Sequence, residues 1–264
     1  MKIYISGTTG YLGSHLFKSS KDIYETVAIN RKYSDDSMSY EEFKINKSGG
    51  YKILIHCAGL AHSKSLSDKD FYDANVILSK KLGILAIENK FSKFVFISSI
   101  GVHGNSNENI SIKSSFSPYD AYSRSKIEAE NELKKIFKNS KCKLIIIRPP
   151  LVVGKYAPGN IAKIEKLLHF LPITPFRLVK NKRSIIKIET LCKILLNIDS
   201  LSENILMPAE KEPLSTSQIF DLVASYHGKK FYHIPIPPIA LNFFFNFLKK
   251  ANLKENILGN LVIR

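Results

Sequence analysis

The chain has 264 residues, 44% of them apolar, enough to bury a large core in one domain with a satellite or in two. Its net charge of +16 is scattered (Lys18, Lys80-Lys81, Lys134-Lys135, Lys180 to Arg183, Lys229-Lys230, Lys249-Lys250) and not gathered into a stripe with interleaved aromatics, which disfavours nucleic-acid binding and leaves loose attraction to anionic surfaces. No apolar run approaches the roughly 20 residues of a membrane-spanning helix and no charged-then-apolar leader opens the chain, so the expectation is a cytoplasmic protein without stable membrane insertion.

The first element is a strand over Lys2 to Ser6. It runs into the turn Gly7-Thr8-Thr9-Gly10-Tyr11-Leu12-Gly13 and a helix over Tyr11–Ser19. Strand, tight turn and helix start make an anion site, because the first amides of the helix face outward. Gly7 permits the turn, Gly10 lets backbone approach a pyrophosphate, and Gly13 permits close helix-to-sheet packing. Thr9, Tyr11 and Leu12 belong to the same turn and are expected to line a dinucleotide with the glycines. A glycine triplet alone is a weak signal; its place directly after a first strand strengthens it.

Further strands are expected at Glu25 to Ile29, Lys52 to His56, Lys93 to Ser98 and Lys143 to Ile147. Most are near-continuous Ile, Val, Leu and Phe, as in a sheet covered on both faces. Helical patterns lie between them at Ser67–Asn89, where Ser67 and Asp70 suit a capping box, and at Tyr119–Asn139. Strand-helix alternation with right-handed crossovers gives a doubly wound parallel sheet, an α/β Rossmann-type domain over 1–155. After Pro149-Pro150 the rhythm changes. A strand at Ser184 to Ile188 and a helix at Glu189 to Ile198 are expected to return to the sheet as segment 183–198. Residues 156–182 and 199–264 then form a small, mostly helical lobe over the strand C-terminal ends, with a helix opening at Ser215 to Gln218. The apolar stretch Pro237 to Leu248, with Phe243-Phe244-Phe245, is too short to span a membrane and reads as a buried or interfacial helix. Cys57, Cys142 and Cys192 have no metal-ligand spacing and read as reduced structural thiols, with no metal site.

Two further features carry chemistry. Tyr122 and Lys126 are four apart on a helix and share a face. A nearby ammonium lowers a phenol's pKa and makes proton transfer feasible; a surface Tyr beside a surface Lys is the alternative. Ser98 and Ser99 end a strand where the cofactor crevice should lie. Ser99 would orient a substrate oxygen between Tyr122 and a nicotinamide, and strand-terminating serines are the alternative.

Together these segments resemble the extended short-chain dehydrogenase/reductases, the NAD-dependent epimerase/dehydratase family, that act on nucleotide sugars. The resemblance rests on Gly7-x-x-Gly10-x-x-Gly13, His56-Cys57-Ala58-Gly59, Asn75 and Phe96-Ile97-Ser98-Ser99. It continues through Tyr122-x-x-x-Lys126, Arg148-Pro149-Pro150-Leu151 and Arg183-Ser184-Ile185-Ile186-Lys187-Ile188. It implies a catalytic set of Ser99, Tyr122 and Lys126, the last also touching the nicotinamide ribose. Ala58, Gly59, Asn75, Ser98 and Pro149 would place the cofactor. Asn160 and Arg183 would hold the nucleotide diphosphate, and the Tyr119–Asn139 helix would form a homodimer.

Dehydratases of this family carry an Asp-Glu pair after the catalytic hydroxyl residue. Here Ile100 and Gly101 have no proton to offer, so dehydration is disfavoured. At the end of the second strand a carboxylate would bind the ribose of NAD. This chain has Asn30-Arg31-Lys32, and Arg31 suits the 2′-phosphate of NADP, with a solvated arginine as the alternative. NADP(H) is therefore favoured and NAD(H) possible. The nearest subgroup in pattern reduces UDP-4-keto-6-deoxy-N-acetylhexosamine for surface polysaccharide synthesis, and a nucleotide-sugar 4-epimerase is the alternative. Many epimerases have Asn where this chain has Leu151. A non-catalytic dinucleotide sensor is disfavoured by the intact Tyr122–Lys126 pair.

Overall fold

Apolar runs with no polar face need cover on both sides, and they lie at the centre of the computed structural model, which describes residues 1–31, 37–40, 50–61, 66–105, 107–200, 203–249 and 251–264. Lys32 of the Asn30-Arg31-Lys32 segment lies outside the described residues. In chain order the elements begin β1 (Lys2–Ser6), α1 (Tyr11–Ser20), β2 (Glu25–Asn30), β3 (Ser37–Ser39) and β4 (Lys52–His56). Next come α2 (Asp68–Tyr72), a π turn at Asp73–Ile77, α3 (Leu78–Glu88), β5 (Lys93–Ile97), β6 (Asn107–Ile110), α4 (Ala121–Phe137) and β7 (Lys143–Ile147). The remainder comprises β8 (Leu151–Val153), α5 (Asn160–Phe170), β9 (Ile173–Thr174), β10 (Ile185–Lys187), α6 (Ile188–Leu196) and β11 (Ile205–Leu206). It ends with α7 (Thr216–Ser225), β12 (Tyr232–His233), α8 (Pro238–Phe247), α9 (Ala251–Leu258) and β13 (Leu261–Ile263).

Seven strands form one parallel sheet in the order β11-β7-β5-β4-β1-β2-β3. The order reverses between β1 and β4, which are in register from Lys2↔Lys52 to Ser6↔His56. Chains leaving those two strands diverge to opposite sides, and a crevice opens at their C-terminal ends. The sheet core is Ile3, Ile5, Ile53, Leu54, Ile55, Phe94 and Phe96, all fully buried. Helices α3 and α4 pack together over it through Leu82, Leu133 and Phe137, while α1 packs with α6. Gly83 allows the α3–α4 approach, since a Cβ there would lie 3.0 Å from both Leu133 and Phe137.

Two compact units result, the first holding Met1–Val102, Pro118–Pro149 and Ile188–Pro208, the second His103–Ser117, Pro150–Lys187 and Ala209–Arg264. The second combines α5, α7, α8 and α9 with the short ladders β8–β10, β9–β12 and β6–β13. Its apolar centres are Phe176, Val179, Leu241 and Phe245, and Leu168, Ala224 and Phe231.

Three details differ from the sequence expectation. The Ser184 to Ile188 strand does not rejoin the large sheet: β10 pairs with β8, from Ile185↔Leu151 to Lys187↔Val153. Pro149-Pro150, lacking amide donors, end the run of β7, so the chain restarts as a separate ladder. Only α6 of that segment belongs to the first unit. Residues 103–117, expected in the dinucleotide domain, group with the second unit because β6 pairs with β13. Conversely β11 extends the large sheet beside β7.

Candidate active site

The crevice at the β1/β4 reversal encloses about 350 Å³. Of the residues expected to touch a dinucleotide, Gly7, Thr9, Gly10, Asn30, Arg31, Ala58 and Gly59 line it. Cys57, within the His56-Cys57-Ala58-Gly59 motif, lines it too, as do Tyr40, Leu60, Ala74 and Leu78, which no motif singled out and which folding brings there. Gly7 has φ 76° and a Cβ on it would sit 2.6 Å from the Ala58 backbone; a Cβ on Gly13 would lie 2.2 Å from the Gly7 carbonyl oxygen. Gly13 thus serves the close turn and not the lining. The Asn30 carboxamide and the Thr8 hydroxyl exchange hydrogen bonds of 2.9 and 3.1 Å, tying the end of β2 to the glycine turn.

Capping shows what this turn is free to bind. Ser67, Asp120 and Ser215 close α2, α4 and α7 with capping boxes. At α1 the N-cap is Gly10, with no side-chain bond and no acid in the first turn. Its outward amides and positive dipole end are left for an anion, and a dinucleotide's pyrophosphate fits that cradle.

Behind the crevice runs a buried polar relay. His56 Nδ1 is 2.6 Å from Ser6 Oγ, and its Nε2 is 2.9 Å from Ser79 Oγ. Ser79 donates to the Asn75 carbonyl at 2.5 Å. The Asn75 side chain accepts from the Leu60 amide at 2.8 Å and donates to the Leu60 carbonyl at 3.0 Å and to Ser125 Oγ at 2.9 Å. Asn75 sits in the π turn, which supplies the extra residue that turns its amide inward. Its place is thus behind the crevice wall, where it fixes the loop after β4 to α4. Burial pushes the His56 imidazole down to about 3, with the Lys126 charge adding to the fall, so the ring is neutral.

Tyr122 and Lys126 lie on the first turns of α4. Lys126 Nζ donates to the Ile97 carbonyl at 2.9 Å and lies 5.8 Å from the centre of the Tyr122 ring. The Tyr122 hydroxyl shares a side-chain hydrogen bond with Ser99, whose Oγ also accepts from the Gly101 amide at 3.0 Å. A Cβ on Gly59 would approach Lys126 Nζ to 3.4 Å, so the ammonium lies against the loop that lines the crevice. The structure therefore brings Ser99, Tyr122 and Lys126 together.

The titration of this group departs from the expectation of an acidified phenol. Burial pushes the Tyr122 hydroxyl up to about 12; the Ser99 bond opposes that rise, and Tyr119 and Asp120 add to it. Burial also lowers Lys126 to about 8, against the opposing pull of Cys57 and Glu130. The phenol is protonated, and its neighbour is still an ammonium at neutral pH.

Other expected residues have different partners. Ser98 is fully inside the protein and donates to Glu130 Oε1 at 2.7 Å, so its hydroxyl serves the core and not the crevice. The Pro149 carbonyl accepts from the Ile100 amide at 3.0 Å, fixing the turn that carries Ser99. In the second unit, Asn160 Oδ1 accepts from Lys163 at 3.1 Å, and Arg183 Nη1 donates to the carbonyls of Glu255 and Gly259 at 3.1 and 3.0 Å, closing the end of α9. Cys57, Cys142 and Cys192 are free, each pushed up to about 12 chiefly by burial, and among the described residues no acid, histidine or cysteine cluster suits a metal.

Residues 3–198 match the model of the NAD dependent epimerase/dehydratase family. The chain is 26% identical to a UDP-glucose 4-epimerase of Vibrio cholerae, over 99% of its own length and 86% of the relative. In structure it resembles a UDP-glucuronic acid 4-epimerase from Bacillus cereus in complex with NAD, with a TM-score of 0.73, 18% identity, and 89% and 86% of the two chains covered. It also resembles a dTDP-4-dehydrorhamnose reductase from Bacillus anthracis in complex with NADP, with a TM-score of 0.70, 16% identity, and 91% and 85% covered. At such identities these structures share the fold.

Proposed function

The chain is an enzyme of the NAD dependent epimerase/dehydratase family, and from that premise we propose that it inverts C4 of a UDP-linked hexose as a nucleotide-sugar 4-epimerase. One observation carries this reading: Ser99, Tyr122 and Lys126 meet beside the Gly59 loop in a chain that aligns along 99% of its length with a UDP-glucose 4-epimerase. This displaces 4-keto reduction as the leading reading. Dehydration remains disfavoured, since Ile100 and Gly101 bring no acid or base after Ser99.

A bound nicotinamide dinucleotide supplies hydride acceptance and return at the sugar carbon. The residues of this chain supply everything else. The α1 amides and the Gly7 to Gly13 turn hold the pyrophosphate. Ser99 orients the C4 oxygen. Tyr122 takes its proton in the oxidative half and returns it in the reductive half. Burial favours the protonated phenol, so proton return is the easier half; the Ser99 hydrogen bond opposes that burial and eases removal. On this reading Asn160 and Arg183 exchange their present partners for the substrate diphosphate, and α4 forms the face of a homodimer. Cytoplasmic supply of sugars for surface polysaccharide belongs to the same proposal.

Arg31 favours a second reading. It lines the crevice where a carboxylate would hold NAD, and it suits the 2′-phosphate of NADPH in a reductase of UDP-4-keto-6-deoxy-N-acetylhexosamine. Purified protein incubated with UDP-galactose separates the two, together with mass analysis of acid-released nucleotide. Conversion to UDP-glucose with retained NAD is expected. No interconversion, with NADPH consumed only when the keto sugar is supplied, would overturn the epimerase and establish the reductase.

A further inference from the structure

Helix α8 presents the wrong face to water. Leu241 and Phe245 turn inward onto Phe176 and Val179. The opposite stripe, at i, i+4 and i+8, is Ile239, Phe243 and Phe247, which are 84%, 75% and 77% exposed. Phenylalanines on a protein surface are rarely so open, and a contiguous apolar stripe of this kind marks an interaction surface. The helix itself contains no charged residue. Basic residues flank it: Lys249 follows its last turn, and Lys254 stands on α9, which packs against it, beside a single acid, Glu255. Lys254 lies against the helix, donating to Asn246 Oδ1 at 3.2 Å.

From this pairing of an outward apolar stripe with flanking lysines, in a chain of net charge +16, we propose that α8 docks the protein on an anionic lipid surface. The helix lies in the plane of the interface, with Phe243 and Phe247 among the acyl chains and the lysines at the headgroups. Apolar area and positive charge add in such binding, and neither alone gives strong attachment. At ten residues α8 is far too short to cross a bilayer, and among the described residues no helix is long and apolar enough to do so. Charge decides between lipid and a second copy of this chain: a second copy would bring the same lysines face to face, whereas anionic headgroups neutralise them.

The test uses the full chain and large unilamellar vesicles of phosphatidylcholine with phosphatidylglycerol, or of phosphatidylcholine alone. The wild type is expected to sediment with the anionic vesicles and to be released by about 0.5 M salt. The Phe243→Ser, Phe247→Ser double variant keeps every charge and every core residue, and should lose affinity by at least about tenfold with an unchanged melting temperature. The chain contains no tryptophan, so Phe243→Trp gives a single tryptophan whose emission, excited at the red edge where tyrosine does not absorb, should blue-shift on anionic vesicles and be quenched by brominated lipid. This arm reads insertion even if the double variant folds poorly. The proposal is overturned if the wild type does not sediment or if the double variant binds equally, which would be generic charge. It is also overturned by an unshifted tryptophan, or by a wild-type dimer that dissociates in the double variant without vesicle binding.

Discussion

Arg148 grips Glu130 with two nitrogens: Nε donates to Oε1 at 2.8 Å and Nη2 to Oε2 at 2.5 Å, both side chains being buried. Glu130 lies one turn past Lys126 on α4, and Arg148 follows the last residue of β7. The pair therefore pins to the sheet the same helical stripe that carries Tyr122 and Lys126. Burial pushes the Glu130 carboxyl up, but the bonds from Arg148, then Ser98 and Lys134, outweigh it and leave the group below its ordinary value. Arg148→Met strands a buried carboxylate and should cost ~3–5 kcal/mol in urea unfolding. Adding Glu130→Gln to it should recover part of that loss. Equal stability of single and double variants would show that the pair is uncoupled.

Tyr122→Phe removes a hydroxyl that bonds Ser99 and leaves the ring in its edge-on contact with Phe71. Turnover should fall by about 10²–10⁴-fold, with retained cofactor and melting temperature unchanged. Ser99→Ala should lower kcat in the same direction. Full activity of Tyr122→Phe would remove Tyr122 from the chemistry.

Lys126 sets an alkaline limit. Its folded-state pKa, lowered to about 8 by burial, means that the ammonium is present at neutral pH and lost as pH rises through about 8. The kcat/KM profile should fall on that side. Stability moves the other way: between about 8 and the ordinary 10.5 the unfolded chain binds more protons, so this residue's contribution to stability rises with pH. Opposite slopes of activity and stability over one window are the signature to measure, and parallel slopes would exclude it.

What could be read from residue order follows from how local each cause is. β1, β4 and β7 have the bounds expected, because buried parallel strands are unbroken apolar runs. The Ser67–Asp70 capping box formed as its spacing implied. The short elements β3, β11 and the two-residue ladders had no local period, since partners distant in sequence define them. Within the site, the glycine turn and the Tyr122–Lys126 spacing were legible. The relay through His56 and Ser79, the turning of Ser98 to Glu130, and the protonated state of Tyr122 were not. The first two depend on partners more than twenty residues away, and the third on desolvation that only the folded chain imposes. For Pro237 to Leu248 the alternatives of a buried or an interfacial helix stayed open, because apolar content does not say which face finds cover.

Arg31 tests cofactor choice. It is exposed at the rim of the crevice, and its charge also opposes the burial-driven rise of Tyr40. Arg31→Asp places a carboxylate where a 2′-phosphate would sit. NADPH affinity should drop by at least about tenfold while NADH binding is kept or improved, read by quenching of reduced-cofactor fluorescence. If the wild type prefers NADH and the substitution changes neither affinity, Arg31 is a solvated arginine.

His56 offers the sharpest acid-side prediction. Its ring is enclosed by Ser6, Ser79, Phe94 and Phe96 and is held neutral down to about pH 3, whereas an exposed histidine protonates near 6.5. Between those values the unfolded chain binds the extra proton, so falling pH favours unfolding. The contribution amounts to ~1.4 kcal/mol per pH unit below 6.5 for this single site. Carboxylates titrate in the same range, so the measurement is a difference between the wild type and His56→Gln. The variant should be less stable at pH 8, having lost the relay's geometry, and the gap should narrow steadily as pH falls from 6.5 toward 4. A gap independent of pH would mean that the imidazole is charged in the folded protein. The relay would then have to run with Ser6 Oγ accepting from His56, and the Gly59 loop would rest on an ion and not on a neutral ring.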